Sequence, residues 1–108
     1  MKYQALSPRY AVAPQIEPQD VTTIKSDGFS IVICNRPDGE VDGQPSADSI
    51  RAACEEAGLT FEFCPMTGPN ADPADVARLR ELLQGESKIF AYCRTGNRSS
   101  VFYQLAQE

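Results

Sequence analysis

Histidine is absent from this chain of 108 residues. Its absence removes the usual base of Ser-His and Cys-His machinery and the commonest transition-metal ligand, so any nucleophile must be activated by backbone groups and cations. The four cysteines, Cys34, Cys54, Cys64 and Cys93, include no Cys-x-x-Cys pair. Finger-like zinc spacing and a disulfide framework are therefore missing, and reduced thiols with no bound metal or cofactor are expected. No apolar run approaches the roughly 20 residues of a membrane span, and the N-terminus lacks the apolar core of a signal peptide. The expected location is the cytoplasm. A formal net charge of −5 argues against nucleic acid or an anionic membrane as the main partner, and leaves only a local basic site at Arg94 and Arg98. The length suits one domain spanning residues 1–108.

Against these absences stands one dense segment. From Lys88 to Tyr103 an apolar strand runs into Cys93, a short loop with Gly96, Arg98 and a new helix. A loop closing onto a helix N-terminus converges several N–H donors on one point, where the helix dipole adds positive potential. That field favours thiolate and can lower a cysteine pKa from about 8.5 to roughly 3.5–7.5, which makes Cys93 the candidate nucleophile. Gly96 supplies the positive φ of an amide nest, and Arg98 a planar fork of donors for a tetrahedral oxyanion. Arg94, Thr95, Asn97 and Ser99 complete the substrate-binding loop, and Ser99 can also donate to the thiolate.

The rest of the chain reads as alternating strands and helices. Residues 3 to 16 suggest edge strands or a hairpin, and Pro18 opens a short helix to Ser26 that Gly28 ends. Phe29 to Cys34 reads as a strand covered on both faces, followed by a polar loop from Arg36 to Gln44. A helix from Ser46 to Ala57 closes at Gly58, a strand runs from Leu59 to Cys64, and Asp72 caps a helix from Pro73 to Gln84 that Gly85 ends. Lys88 to Tyr92 is the strand that delivers Cys93. This order implies an α/β fold, three-layered, with a mainly parallel central sheet and helices on both faces. Its ligand crevice lies beyond the carboxyl ends of the strands, where Cys93 falls. Tyr3, Tyr10, Phe61 and Phe63 can each be core or pocket wall.

The segment Tyr92 to Ser100 resembles the active loop of single-domain rhodaneses, which carry persulfide sulfur on the cysteine. It also resembles the His-Cys-x-x-Gly-x-x-Arg loop of protein tyrosine phosphatases, but Tyr92 replaces the histidine and Arg98 comes one residue early. The contracted ring of amides suits a small sulfur atom better than a phosphoryl group. Across most of the chain, including Gln15-Ile16-x-Pro18-x-Asp20 and Asn35-Arg36-Pro37-Asp38-Gly39-Glu40, the sequence resembles the phosphatase-like domain of bacterial beta-lactamase-hydrolase-like proteins. That resemblance implies a small phosphatase fold with a rhodanese-length loop, alone or fused to a metallo-hydrolase partner of the persulfide dioxygenase kind.

Three functions follow. In the leading one, a rhodanese-type sulfurtransferase, the Cys93 thiolate takes sulfane sulfur from a small anionic or persulfide substrate and passes it to a thiol acceptor, with Arg94 and Arg98 orienting the donor. No general acid is needed, because such donors expel weakly basic leaving groups. The alternative is a phosphatase in which Cys93 attacks phosphorus, Arg98 clamps the equatorial oxygens, and Asp38, Glu40 or Asp42 is the candidate acid. The third is a non-enzymatic anion-binding or redox-sensing domain. Cys34 and Cys64, at the ends of neighbouring strands, are candidate resolving thiols for a Cys93 persulfide, which requires Cα atoms within about 7 Å.

Overall fold

The computed structural model describes every residue from Met1 to Glu108. The chain forms β1 (Gln4–Ser7), β2 (Tyr10–Ala13), a 3-10 turn (Pro18–Asp20), α1 (Val21–Ser26), β3 (Ile31–Cys34), α2 (Ala47–Ala57), β4 (Thr60–Phe63), α3 (Pro73–Leu83), β5 (Ile89–Tyr92) and α4 (Asn97–Gln107). The five strands make one sheet in the order β1-β2-β5-β3-β4. Only β1 runs antiparallel, to β2, while β2, β5, β3 and β4 are parallel.

Strand residues alternate between the two faces, as a period of two requires. Ala11, Ala13, Val32, Cys34, Phe90 and Tyr92 pack against Val21 and Ile24 of α1 and Ile50 and Cys54 of α2. Tyr10, Val12, Ile31, Ile33, Ile89 and Ala91 pack against Leu79 of α3 and Phe102 and Ala106 of α4. The expected three-layer α/β fold is present. Central strand β5 is at most 1% exposed at any residue, which explains its unbroken apolar sequence. It lies between β2 and β3, the point at which the chain reverses its direction of travel across the sheet. In open α/β sheets the ligand crevice opens at this point.

Local signals behave as their chemistry demands. Ser46 caps α2 by accepting from Ser49 N–H at 3.1 Å, and Gly58 ends it at φ +82°. Asp72 caps α3 through Ala74 N–H at 2.9 Å. Two boundaries differ from expectation. The Pro18 segment starts as a 3-10 turn before α1, closed by a capping box between Glu17 and Asp20. Gly85 does not terminate α3 through a left-handed conformation; Arg9 instead donates to the free carbonyls of Leu83 and Gly85.

Of the four undecided aromatics, Tyr10 is core, 1% exposed, and stacks on Tyr103 with ring centroids 4.5 Å apart. Its hydroxyl donates to the Ser99 carbonyl at 3.2 Å, tying β2 to the first turn of α4. Tyr3 lies edge-on to Phe29 and Phe90, Phe61 lies under the Arg51 guanidinium, and Phe63 is exposed.

Phe102 is fully buried and anchors α4 to the sheet. Phe102→Ala is expected to cost about 3–5 kcal/mol in urea unfolding, and to loosen the helix start on which the site is built.

Candidate active site

Cys93 follows the last residue of β5, and its N–H donates to the Ala13 carbonyl at 3.2 Å, which pins it to β2. The residue is fully buried. Gly96 adopts φ +95° and turns its N–H back onto Cys93 Sγ at 3.1 Å. A Cβ at this glycine would meet the Ala13 carbonyl carbon at 3.4 Å, so both conformation and space select glycine. Helix α4 begins one residue later and aims further amides at the sulfur. Burial pushes the Cys93 pKa up, but the N–H groups of Ser99, Thr95, Gly96 and Arg98 more than offset it, and the pKa falls below that of an ordinary thiol. The other cysteines go the opposite way: burial pushes Cys54 up to about 11, Cys64 up to about 12, and Cys34 upward as well. One thiolate is selected from four cysteines.

Asn35 holds this arrangement together. It is 0% exposed, and both ends of its side chain and both of its backbone groups are bonded. Its N–H donates to the Tyr92 carbonyl at 2.8 Å, and its carbonyl accepts from Met66 N–H at 2.9 Å. Its Nδ2 donates to the Cys64 carbonyl at 2.8 Å, so Oδ1 faces the Ser99 hydroxyl at 2.9 Å. Oδ1 can only accept, which commits the Ser99 proton to Asn35. Ser99 therefore serves the thiolate through its backbone N–H.

Arg98 lies on the β3 side of the loop. Its Nη1 donates to Glu40 Oε2 and to the Met66 carbonyl, both at 2.8 Å, and its Nη2 donates to Glu40 Oε1 at 2.8 Å. Arg36, 4% exposed, donates from Nε to the same Glu40 Oε1 at 2.9 Å and from Nη1 to Gln15 Oε1 at 3.1 Å. Arg98 foremost, with Arg36 behind it, outweighs burial and holds the Glu40 pKa down at about 2. A carboxyl in that state has no proton to give near neutral pH. Asp38 is committed elsewhere, accepting from Ala47 N–H at 2.7 Å at the start of α2. Asp42 is exposed on the same loop.

Arg94 and Thr95 are exposed beside the nucleophile, and Thr95 Oγ1 accepts from Asn97 N–H at 3.2 Å. Thr95, Gly96, Asn97 and Ser100 also wall a cleft of about 420 Å³ that Lys2, Tyr3 and Gln4 close from the β1 side. Cys34 and Cys64 do fall at neighbouring strand ends, but their side chains join opposite faces of the sheet. Cys34 Sγ donates to the Arg36 carbonyl at 3.3 Å, and the buried Tyr92 hydroxyl lies beside the same sulfur. Sequence reasoning did not single out Asn35, Arg36 and Gln15 as site residues. Their signal was their place in the segments that carry the family resemblance and, for Asn35 and Arg36, a polar run directly after an apolar strand.

A cysteine thiolate and an arginine joined by so short a loop, at the switch point of a mainly parallel sheet, place this domain among the tyrosine-phosphatase-like folds. Solved structures agree with that class. A candidate phosphatase of Neisseria meningitidis is 37% identical, with a TM-score of 0.78 over 92% of this chain and 71% of its own. Pseudomonas aeruginosa TpbA, solved in complex with pTyr, shares the fold at 19% identity and a TM-score of 0.62, over 93% of this chain and 64% of its own. The chain belongs to the phosphatase-like domain family of the beta-lactamase hydrolase-like proteins, whose family model matches residues 2–108. Beta-lactamase hydrolase-like proteins of Agrobacterium fabrum and Xylella fastidiosa are 32% and 31% identical over 99% of the chain. The chain spans 25% of the length of these curated relatives.

The amide cradle gives a pH prediction with a definite sign. Reactivity of Cys93 toward iodoacetamide is expected to rise through a midpoint below that of an ordinary thiol and to stay flat above it, while Cys34, Cys54 and Cys64 remain unlabelled in the folded protein. Gly96→Ala, which forces a side chain into positive φ at a cost of about 1–3 kcal/mol, is expected to move that midpoint upward. Alkylation followed by peptide mass mapping across pH measures both.

Proposed function

We propose that this domain is a cysteine-dependent phosphomonoester hydrolase. The observation that carries the reading is the Cys93 thiolate held in converging amides next to the Arg98 guanidinium, a set of donors suited to the equatorial oxygens of a phosphoryl group. Membership of a phosphatase-like family and likeness to the Neisseria protein support it. Cys93 Sγ attacks phosphorus, and the bond to the leaving oxygen breaks with its electron pair on that oxygen. Water then attacks the cysteinyl phosphate and releases inorganic phosphate and the thiolate. Two of the three candidate acids are committed elsewhere, since Glu40 is ionised between two arginines and Asp38 is bonded to the start of α2, and the third, Asp42, lies exposed on the loop. The reading therefore favours substrates with weakly basic leaving groups, aryl phosphates above alkyl ones. It also includes work beside a metallo-hydrolase unit, in keeping with relatives four times as long.

Sulfur transfer is the second reading. It is favoured by the four residues between Cys93 and Arg98, one fewer than in the tyrosine-phosphatase loop, and by the commitment of Glu40 and Asp38 to other partners. The loop would carry a persulfide on Cys93, draw on a small anionic donor and pass sulfur to a thiol acceptor.

Turnover of wild-type, Cys93→Ser and Arg98→Ala protein on an aryl phosphate, and on thiosulfate with a thiol acceptor, separates the two. Phosphate release that vanishes in Cys93→Ser and drops about 10²- to 10³-fold in Arg98→Ala is the expected outcome. Cys93-dependent transfer of sulfur without phosphate release replaces the first reading by the second, and neither activity leaves an anion-binding domain.

A further inference from the structure

We infer that the cleft between β1 and the start of α4 is a second anion subsite, in which Lys2 holds an acidic group on the leaving part of the substrate. The substrate class is then a phosphomonoester that carries a further negative charge. The inference deepens the phosphoryl-transfer reading and rests on it for the identity of the group at Cys93. Positive charge is scarce in this domain of net charge −5, and most of it is spent internally. Of ten lysines and arginines, all but Lys2 and Arg94 donate to a carboxylate or a backbone carbonyl. Both exceptions flank the nucleophile: Arg94 follows Cys93 in the loop, and Lys2 faces the loop across the cleft. Two cations left uncommitted beside one loop point to an anion from outside the protein.

The cleft adjoins the cradle, because Thr95 and Gly96, whose N–H groups act on the Cys93 sulfur, also form its wall. A leaving group of a few atoms therefore spans from one to the other. Gln4 pairs with Val12 in the β1–β2 ladder, so both project from the sheet face that α4 covers. Asn97 and Ser100, one turn apart in α4, complete the enclosure. Its volume of about 420 Å³ falls in the range of small-molecule sites.

The lining decides what kind of group fits. None of the fifteen aspartates and glutamates borders the cleft, while Lys2 brings an ammonium group and Gln4 and Asn97 bring amides. Tyr3 spends its ring on the opposite sheet face, edge-on to Phe29 and Phe90, with its hydroxyl donating to Asp27 at 2.7 Å. The cleft thus offers charge and hydrogen bonds in place of an aromatic platform, and the positive end of the α4 dipole adds to the attraction for an anion.

The test uses phenylphosphonate and its meta- and para-carboxylated analogues, none of which can be hydrolysed, and measures how well each protects Cys93 from iodoacetamide in the intact chain. The wild-type protein is expected to hold one carboxylated compound about three- to fivefold tighter than phenylphosphonate, the strength of one exposed ion pair. Lys2→Ala is expected to abolish that preference, Lys2→Glu to reverse it and Lys2→Arg to keep it. Lys25→Ala, an equal charge change on the exposed side of α1, should leave it unchanged.

No preference in the wild-type protein overturns the inference, as does a preference that survives Lys2→Ala. A preference lost in Arg94→Ala and kept in Lys2→Ala moves the second anion to the loop and overturns it equally. Protection needs no turnover, so the two readings fail separately. Protection without preference removes the subsite and leaves the phosphatase reading, whereas a Lys2-dependent preference in a protein that releases no phosphate does the reverse. Absence of protection by all three compounds overturns both.

Discussion

The structure depends on the lowered pKa of one buried thiol, that of Cys93. Desolvation opposes charge on Cys93, and convergent backbone N–H groups, with the Arg98 guanidinium beside them, reverse that in a chain that has no imidazolium. Amides converge only if β5, the four-residue loop and the first turn of α4 are locked relative to each other. Each lock is visible: Cys93 N–H on the Ala13 carbonyl, Gly96 in the left-handed region against the same residue, Tyr10 on the Ser99 carbonyl, and Asn35 on the Ser99 hydroxyl. The parallel sheet supplies the frame, since its central strand is rigid on both faces and ends where the chain reverses across the sheet.

A buried polar side chain is costly unless all its groups are paired. Asn35 meets that condition by joining β3, the end of β5, the start of α4 and the segment after β4 through four hydrogen bonds. Arg36 meets it through Glu40 and Gln15. These two consecutive residues make separate links: Asn35 ties the loop around Cys93 to its neighbours, while Arg36 shares the Glu40 carboxylate with Arg98. The polar segment after β3 is thus the supporting layer of the site.

That division shows what a linear reading can reach. Cys93, Gly96, Arg98 and the helix behind them were legible because their chemistry is local: strand, positive-φ glycine and helix start follow one another within a dozen residues. The alternation of β-branched runs with capped helices likewise revealed the layers. Asn35 and Arg36 were illegible as site residues because polar residues after a strand look like a solvated turn, and only the approach of α4 and the segment after β4 buries them. Asp38, Glu40 and Asp42 look equivalent in sequence, each an acid on one loop. Tertiary contacts separate them, sending Asp38 to the N-terminus of α2, Glu40 between two guanidiniums and Asp42 to the exterior. Cys34 and Cys64 share the end of the sheet with Cys93, yet the pleat puts them on opposite faces, a consequence of register that strand phasing alone did not resolve.

The site therefore gathers N–H donors around a thiol of lowered pKa, while Glu40 and Asp38, two of the acids on the neighbouring loop, are bonded elsewhere. In a cysteine-dependent transfer the electrophile bonds to sulfur while the leaving group departs with an electron pair, and an acid matters in proportion to that group's basicity. A cradle that holds the electrophile but supplies no proton selects by leaving group: phenolates depart unaided, as do sulfite and thiolates, whereas alkoxides do not. The same geometry accounts for a phosphatase-like fold whose loop has rhodanese length. What divides the two chemistries in such a site is the size of the group that the contracted ring admits, so the number of residues between Cys93 and Arg98 becomes the structural variable on which substrate choice turns.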